Sequence, residues 1–180
     1  MRIVVTGFEP FGGEKINASW EAVKNLKDVT TALLPVSFTE GPAKIREIAA
    51  SGPDAILCVG EAGGRNRISV ERVAVNLMDA RIPDNDGFQP VDVPIRENGP
   101  AAYFSTLPTR ELCGRMKNTE LSYTAGTYVC NAVFYALMDA VGDSVPAGFI
   151  HVPKGMEISE ITEALQTAVR ILAGGTPGRD

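Results

Sequence analysis

The sequence predicts an α/β fold, with helices on both faces of a largely parallel sheet. Two patterns predict it. Short apolar runs rich in β-branched residues, among them RIVVT, AILCVG and GFIHVP, recur along the chain. Between them lie amphipathic stretches whose apolar residues repeat at three- and four-residue spacing. The 180 residues suit one domain, spanning 1–180, with a sizeable core. No repeat, low-complexity tract or linker divides it.

In order, Arg2–Thr6 reads as a buried strand. Ser19–Leu26 reads as a helix capped by Ser19, whose hydroxyl can accept an orphan backbone N–H. Thr31–Val36 is a second strand, and Thr39–Ala50 a helix stopped by Ser51-Gly52-Pro53. Ala55–Gly60 is a third strand and contains Cys58. Ile68–Asn76 alternates and is expected as one strand on the flank of the sheet. Ala80–Gly99, rich in Pro, Asp and Asn, reads as loop with short strands. Helices are expected at Thr109–Lys117, Tyr128–Val141 and Ile158–Leu172, with a strand at Gly148–Val152. The tail Gly174–Asp180 is expected to fray. Ligands of open α/β sheets sit beyond the strand ends. That directs attention to the loops Gly7–Gly13, Gly60–Arg67 and His151–Gly155.

Composition narrows the chemistry. The net charge is −5, and no Lys/Arg cluster exists to neutralise phosphates or anionic lipid, so neither nucleic acid nor membrane is an expected partner. Three cysteines form no even framework, and one histidine argues against a His-based metal site; no metal or other cofactor is expected. GEAGGR and TGFEPFGG do not match phosphate-binding patterns. The start, MRIVVTGFEPFGG, breaks into Gly and Pro after one short apolar run, too short for a signal peptide or a membrane span. A cytoplasmic protein with reduced thiols is expected.

Cys130 opens an apolar helix just after the turn-prone Ala125-Gly126-Thr127. A helix N-terminus favours negative charge, so this position should lower the thiol pKa and raise its nucleophilicity. Cys58 and Cys113 read as packing residues. His151, the single histidine, ends a strand before Pro153 and is a candidate general base. An orienting carboxylate would complete the set. Glu71 lies in an apolar run and should be partly buried, either beside the histidine or paired with Arg67 or Arg72. Spacing alone leaves Glu71, Asp79 and Asp84 open. Phe8 and Phe11, two aromatics in a Gly/Pro loop, suggest the wall of a small apolar pocket.

These residues carry a resemblance. TGFEPFGG, GEAGGRNRISVERVAVNLMDARIPDNDG, AGTYVCNAVFY and GFIHVP, in this order, resemble the pyroglutamyl peptidases over most of the chain. The resemblance implies an α/β/α sandwich of three layers with a mostly parallel, mixed central sheet. It implies a cysteine peptidase that removes N-terminal pyroglutamate from peptides through a thioester acyl-enzyme. Glu71, Cys130 and His151 match the triad. Phe8 and Phe11 match pocket positions and Arg81 a residue near the active centre; Ile82, Tyr128 and Val129 are expected to join the substrate site. A homo-oligomer, tetramer or dimer, is implied. Three features depart from the family pattern: Ala18 where proline is common, Glu61 in GEAGGR, and KGMEISEI after His151.

Overall fold

Six strands form one sheet in the order β2-β1-β3-β8-β4-β7 in the computed structural model, which describes residues 1–174. Its centre is built from β1 (Ile3–Phe8), β3 (Ala55–Ala62) and β8 (Ala147–Pro153), with β2 (Thr30–Leu34) at one edge. These four run parallel, Val5 opposite Leu57 and Cys58 opposite Phe149. β4 (Ile68–Glu71) runs antiparallel to β8, and β7 (Thr119–Ser122) pairs parallel to β4 at the other edge. The sheet is therefore mostly parallel and mixed. Its central strands are buried on both faces, which explains why they read as continuous apolar runs.

Two helical layers cover the sheet. α1 (Ala18–Val23), α3 (Thr109–Arg115) and α5 (Ile158–Ala173) pack on one face with Ile3, Leu57, Val70 and Ile150. α2 (Glu40–Ala50) and α4 (Val129–Val141) pack on the other with Phe8, Ile56, Cys58 and Phe149. Neighbouring strand residues thus serve opposite cores, as the two-residue period of a strand requires.

Several local expectations are corrected. The cap of α1 is Asn17, not Ser19. Asn17 Oδ1 accepts the Ser19 N–H at 3.0 Å, while the buried Ser19 hydroxyl accepts the Phe8 N–H at 3.0 Å. β2 ends before Pro35, which has no N–H to extend the ladder. The alternating run Ile68–Asn76 is two strands, not one. At Arg72 the chain leaves the sheet, and β5 (Val73–Val75) pairs with β6 (Ala102–Phe104) in a separate two-stranded antiparallel sheet. β6 and β7 were not legible in the sequence. The tail's expected fraying falls outside the described residues, apart from Gly174, whose N–H closes α5 on Arg170 O.

Candidate active site

Strand parity brings the candidate residues to one face. Ile150 and Val152 serve the core under α1 and α5, while Phe149 serves the core under α4. His151 therefore lies on the α4 face, its ring 4.8 Å from that of Phe149. On β4, Ile68 and Val70 point away from α4, which places Ser69 and Glu71 toward it. Ser69 pairs with His151 and Glu71 with Phe149, so Glu71 is the diagonal neighbour of His151. Cys130 sits in the first turn of α4, directly above this face.

Glu71 is fully buried, and its Oε1 is 2.8 Å from His151 Nδ1. The same oxygen accepts Arg65 Nη1 at 2.5 Å, and Arg65 Nη2 reaches Thr124 O at 2.7 Å. Both partners meet Oε1 and offset part of the cost of burying the charge, while Oε2 is buried without a hydrogen-bond partner. Of the two arginines considered as its alternative partners, Arg67 meets Thr119 O and Glu120, and Arg72 meets Ser105 O and the Phe104 ring. Arg65 was the missed partner. Three arginines surround Glu71 in sequence, and spacing does not choose among them. Asp84 instead accepts the N–H groups of Phe38, Asp86 and Phe88 and organises its loop. Asp79 pairs with Thr127 through the backbone.

Cys130 lies against Gly60, the register partner of His151: a Cβ on Gly60 would come within 2.8 Å of the sulfur. Burial pushes the Cys130 thiol up to about 12, and the negative charge of Glu71 acts in the same direction. This overturns the lowered value expected from the helix start. The partial charge of a helix terminus is about half a unit, and here it faces desolvation together with a full carboxylate charge. Cys58, fully buried, is also pushed up to about 12 by burial.

A second missed residue is Asn131. Its Oδ1 accepts the Val75 N–H at 3.0 Å, and its Nδ2 donates to Val75 O at 2.9 Å and Leu77 O at 3.0 Å. This clamps the first turn of α4 to the segment following Glu71. An amide in the apolar first half of this helix was the available signal.

A pocket of about 100 Å³ opens onto the thiol, lined by Phe8, Phe11, Val36, Tyr128, Val129, Cys130 and His151, with Asn17 and Glu61 as further polar lining. The Phe11 and Tyr128 rings are 6.0 Å apart, and the Tyr128 hydroxyl donates to Pro83 O at 3.0 Å. Arg81 and Ile82 do not line it. Both are exposed, and Ile82 stands outside, its Cδ1 4.0 Å from where a Gly12 Cβ would lie. Among the described residues no helix is long and apolar enough to cross a membrane.

A family model described as pyroglutamyl peptidase matches residues 1–176. The chain belongs to the pyroglutamyl peptidase family. It is accordingly a cysteine hydrolase of the pyroglutamyl-peptidase I type. It is 45% identical to the pyrrolidone-carboxylate peptidase of Brevibacillus brevis, covering 93% of this chain and 87% of that protein. With that of Thermococcus kodakarensis it shares 42% identity over 96% of each. The crystal structure of pyroglutamyl peptidase I from Bacillus amyloliquefaciens superposes with a TM-score of 0.88 at 42% identity, covering 93% of both chains. That of pyrrolidone carboxyl peptidase from Pyrococcus furiosus gives 0.89 at 34% identity, covering 97% of this chain and 99% of that one. The family thus shares the three-layer fold described above.

Proposed function

We propose that this peptidase removes N-terminal pyroglutamate from peptides by acyl transfer, with Cys130 as nucleophile, His151 as base and Glu71 as the orienting acid. The observation that carries this reading is the 2.8 Å contact between His151 Nδ1 and Glu71 Oε1, beside a pocket that also presents Cys130. With Nδ1 committed to Glu71, Nε2 is the nitrogen left for the thiol.

Because burial favours the neutral thiol, His151 acts as a general base at the moment of attack. The sulfur bonds to the pyroglutamyl carbonyl carbon as its proton passes to Nε2. Negative charge moves to the carbonyl oxygen. No side chain caps α4, so N–H groups of its first turn, that of Cys130 among them, are free to stabilise this oxyanion. The C–N bond then breaks, and the Nε2 proton goes to the leaving amine. A thioester remains. Water attacks it, giving a proton to His151; the C–S bond breaks, and that proton returns to sulfur. Glu71 stabilises the transient imidazolium, and Arg65 holds Glu71 in place.

The walls formed by Phe8, Phe11, Tyr128 and Val129 suit a flat, uncharged ring, and the small volume suits a ring better than an extended side chain. The reading extends to a reducing, cytoplasmic setting, supported by three free cysteines. It also extends to a homo-oligomer, dimer or tetramer, supported by the exposed Phe88, Val91 and Val93 on one loop. The test is release of a fluorogenic amine from a pyroglutamyl amide, wild type beside Cys130→Ser. Turnover by the wild type alone supports the reading. Turnover by both removes Cys130 from the chemistry, and turnover by neither removes the substrate.

A further inference from the structure

We propose that Asn131 is the positioning residue of the nucleophile: its amide fixes the rotation of the first turn of α4, and with it the direction of the Cys130 sulfur. This rests on the pyroglutamyl reading above and extends it to a side chain outside the triad.

The first turn of α4 has little else to hold it. Tyr128, its N-cap residue, makes no side-chain bond to the helix, so the N–H groups of this turn lack the usual cap. Yet the sulfur leaves the helix from this turn, and its distance to His151 depends on how the turn is rotated. A side chain reaches roughly 5–6 Å from the helix axis, so a rotation of about 10° carries its end by about 1 Å.

Asn131 is the next residue, about 100° farther round the helix, and it faces β5. Its amide takes both backbone groups of Val75. Oδ1 accepts the Val75 N–H at 3.0 Å, and Nδ2 donates to Val75 O at 2.9 Å and to Leu77 O at 3.0 Å. The other edge of β5 is occupied by β6, where Val75 stands opposite Ala102 and the Asn76 N–H meets Ala101 O. The amide therefore stands where a further strand would pair with β5. Three bonds to backbone leave a buried amide one orientation, and the turn that carries it one rotation.

Tyr135 and Asp139 follow Asn131 at four-residue spacing on the same face of α4. The Tyr135 hydroxyl donates to Pro100 O at 2.8 Å, and Asp139 Oδ1 accepts the Tyr103 hydroxyl at 2.7 Å. One row of side chains thus joins α4 to β5, β6 and the chain leading into β6. Asn131 is the end of that row beside Cys130, and Tyr135 lies one turn, about 5.4 Å, farther along. A role in stability is common to the row; a role in aiming the sulfur belongs to Asn131.

The test is steady-state kinetics on a pyroglutamyl fluorogenic amide, with kcat expressed per folded molecule from urea unfolding. Asn131→Leu, close in volume and without hydrogen bonds, should lower kcat by about 100-fold, the cost of moving a reacting atom by about 1 Å. KM should stay within about threefold, because Phe8, Phe11 and Val36 reach the pocket from other elements. Tyr135→Phe, which loses one hydrogen bond farther down the row, should lower stability yet keep kcat within about threefold, since no reacting atom moves. Equal kcat losses in the two variants overturn the proposal and mark the row as merely structural. So does full kcat in folded Asn131→Leu, or a loss confined to KM. If Asn131→Leu does not fold, Asn131→Ser, which keeps a hydroxyl and admits water, decides by the same split. A wild type inactive on this amide overturns the pyroglutamyl reading, and this proposal with it. An active wild type with an unaltered kcat in the Asn131 variants overturns this proposal only.

Discussion

A Cβ on Gly60 would stand 2.8 Å from Cys130 Sγ and 2.8 Å from Phe149 Cζ. Gly60 carries no positive φ, so alanine would fit its backbone and the conflict is purely steric. Phe149 has little room to yield, because its ring packs on Phe8, Phe134 and His151. The sulfur is then the atom that moves. Gly60→Ala should lower kcat by about 100-fold, the cost of displacing a reacting atom by roughly an ångström. Its stability cost should be about 1–3 kcal/mol, as for other overpacked sites. Steady-state kinetics and urea unfolding check the two together. Full activity in a folded Gly60→Ala would mean that the thiol position is not critical.

Arg65 and His151 share a single oxygen of Glu71. Removing the arginine leaves a fully buried carboxylate with one partner less, and breaking a buried pair costs about 3–5 kcal/mol. Since the Arg65 side chain is 24% exposed, a value at or below the lower end is expected. Arg65→Met should therefore lose stability and about tenfold or more in kcat, through a mobile Glu71. Glu71→Gln removes the charge behind the imidazolium, and the loss in kcat should be about 10³–10⁴-fold. The double variant should be little worse than Glu71→Gln alone, because both changes break one network. Additive losses would show that Arg65 acts elsewhere.

The protonation of Cys130 at rest has a direct readout. A thiol pushed up to about 12 by burial and by Glu71 is neutral at physiological pH. Carbamidomethylation by iodoacetamide should then rise about tenfold per pH unit between roughly pH 7 and 10, since only the thiolate reacts. A thiolate–imidazolium pair would instead give labelling that is nearly independent of pH over that range. Mass spectrometry resolves Cys130 from Cys58 and Cys113, and a flat profile for Cys130 would overturn the neutral resting state.

The layered fold was legible because its central strands are buried on both faces. AILCVG and GFIHVP are buried throughout and apolar but for His151, and an amphipathic helix follows GFIHVP. β6 and β7 were not legible. They have three and four residues, are partly exposed, and carry no period long enough to separate from loop. The run Ile68–Asn76 misled for a different reason. Its apolar positions shift phase at Arg72, from Ile68 and Val70 to Val73 and Val75, and its pairing partner changes with them, from β8 and β7 to β6. Cys130 and His151 could be singled out because each is a reactive type in an apolar setting, while Glu71 was the best placed of three acids that spacing left open. Their meeting depends on the antiparallel β4, which no local pattern announces. The thiol's electrostatics depended on burial and on Glu71 across the sheet, so the helix start alone pointed the wrong way.

Cys58 offers a stability test separate from catalysis. Burial raises its thiol from 9.0 to about 12, so the folded chain holds a proton that the unfolded chain releases above pH 9. The stabilisation is complete below pH 9 and is lost as pH rises toward 12. Between those values stability should fall by about 1.4 kcal/mol per pH unit from this group alone. Cys58→Ala deletes the titrating group. It should cost stability at pH 7 through the lost packing, yet decline less steeply above pH 9. Urea unfolding at pH 7, 9 and 10 measures both slopes. Equal slopes in wild type and Cys58→Ala would mean that this thiol is ionised in the folded protein, or that the alkaline loss comes from other groups.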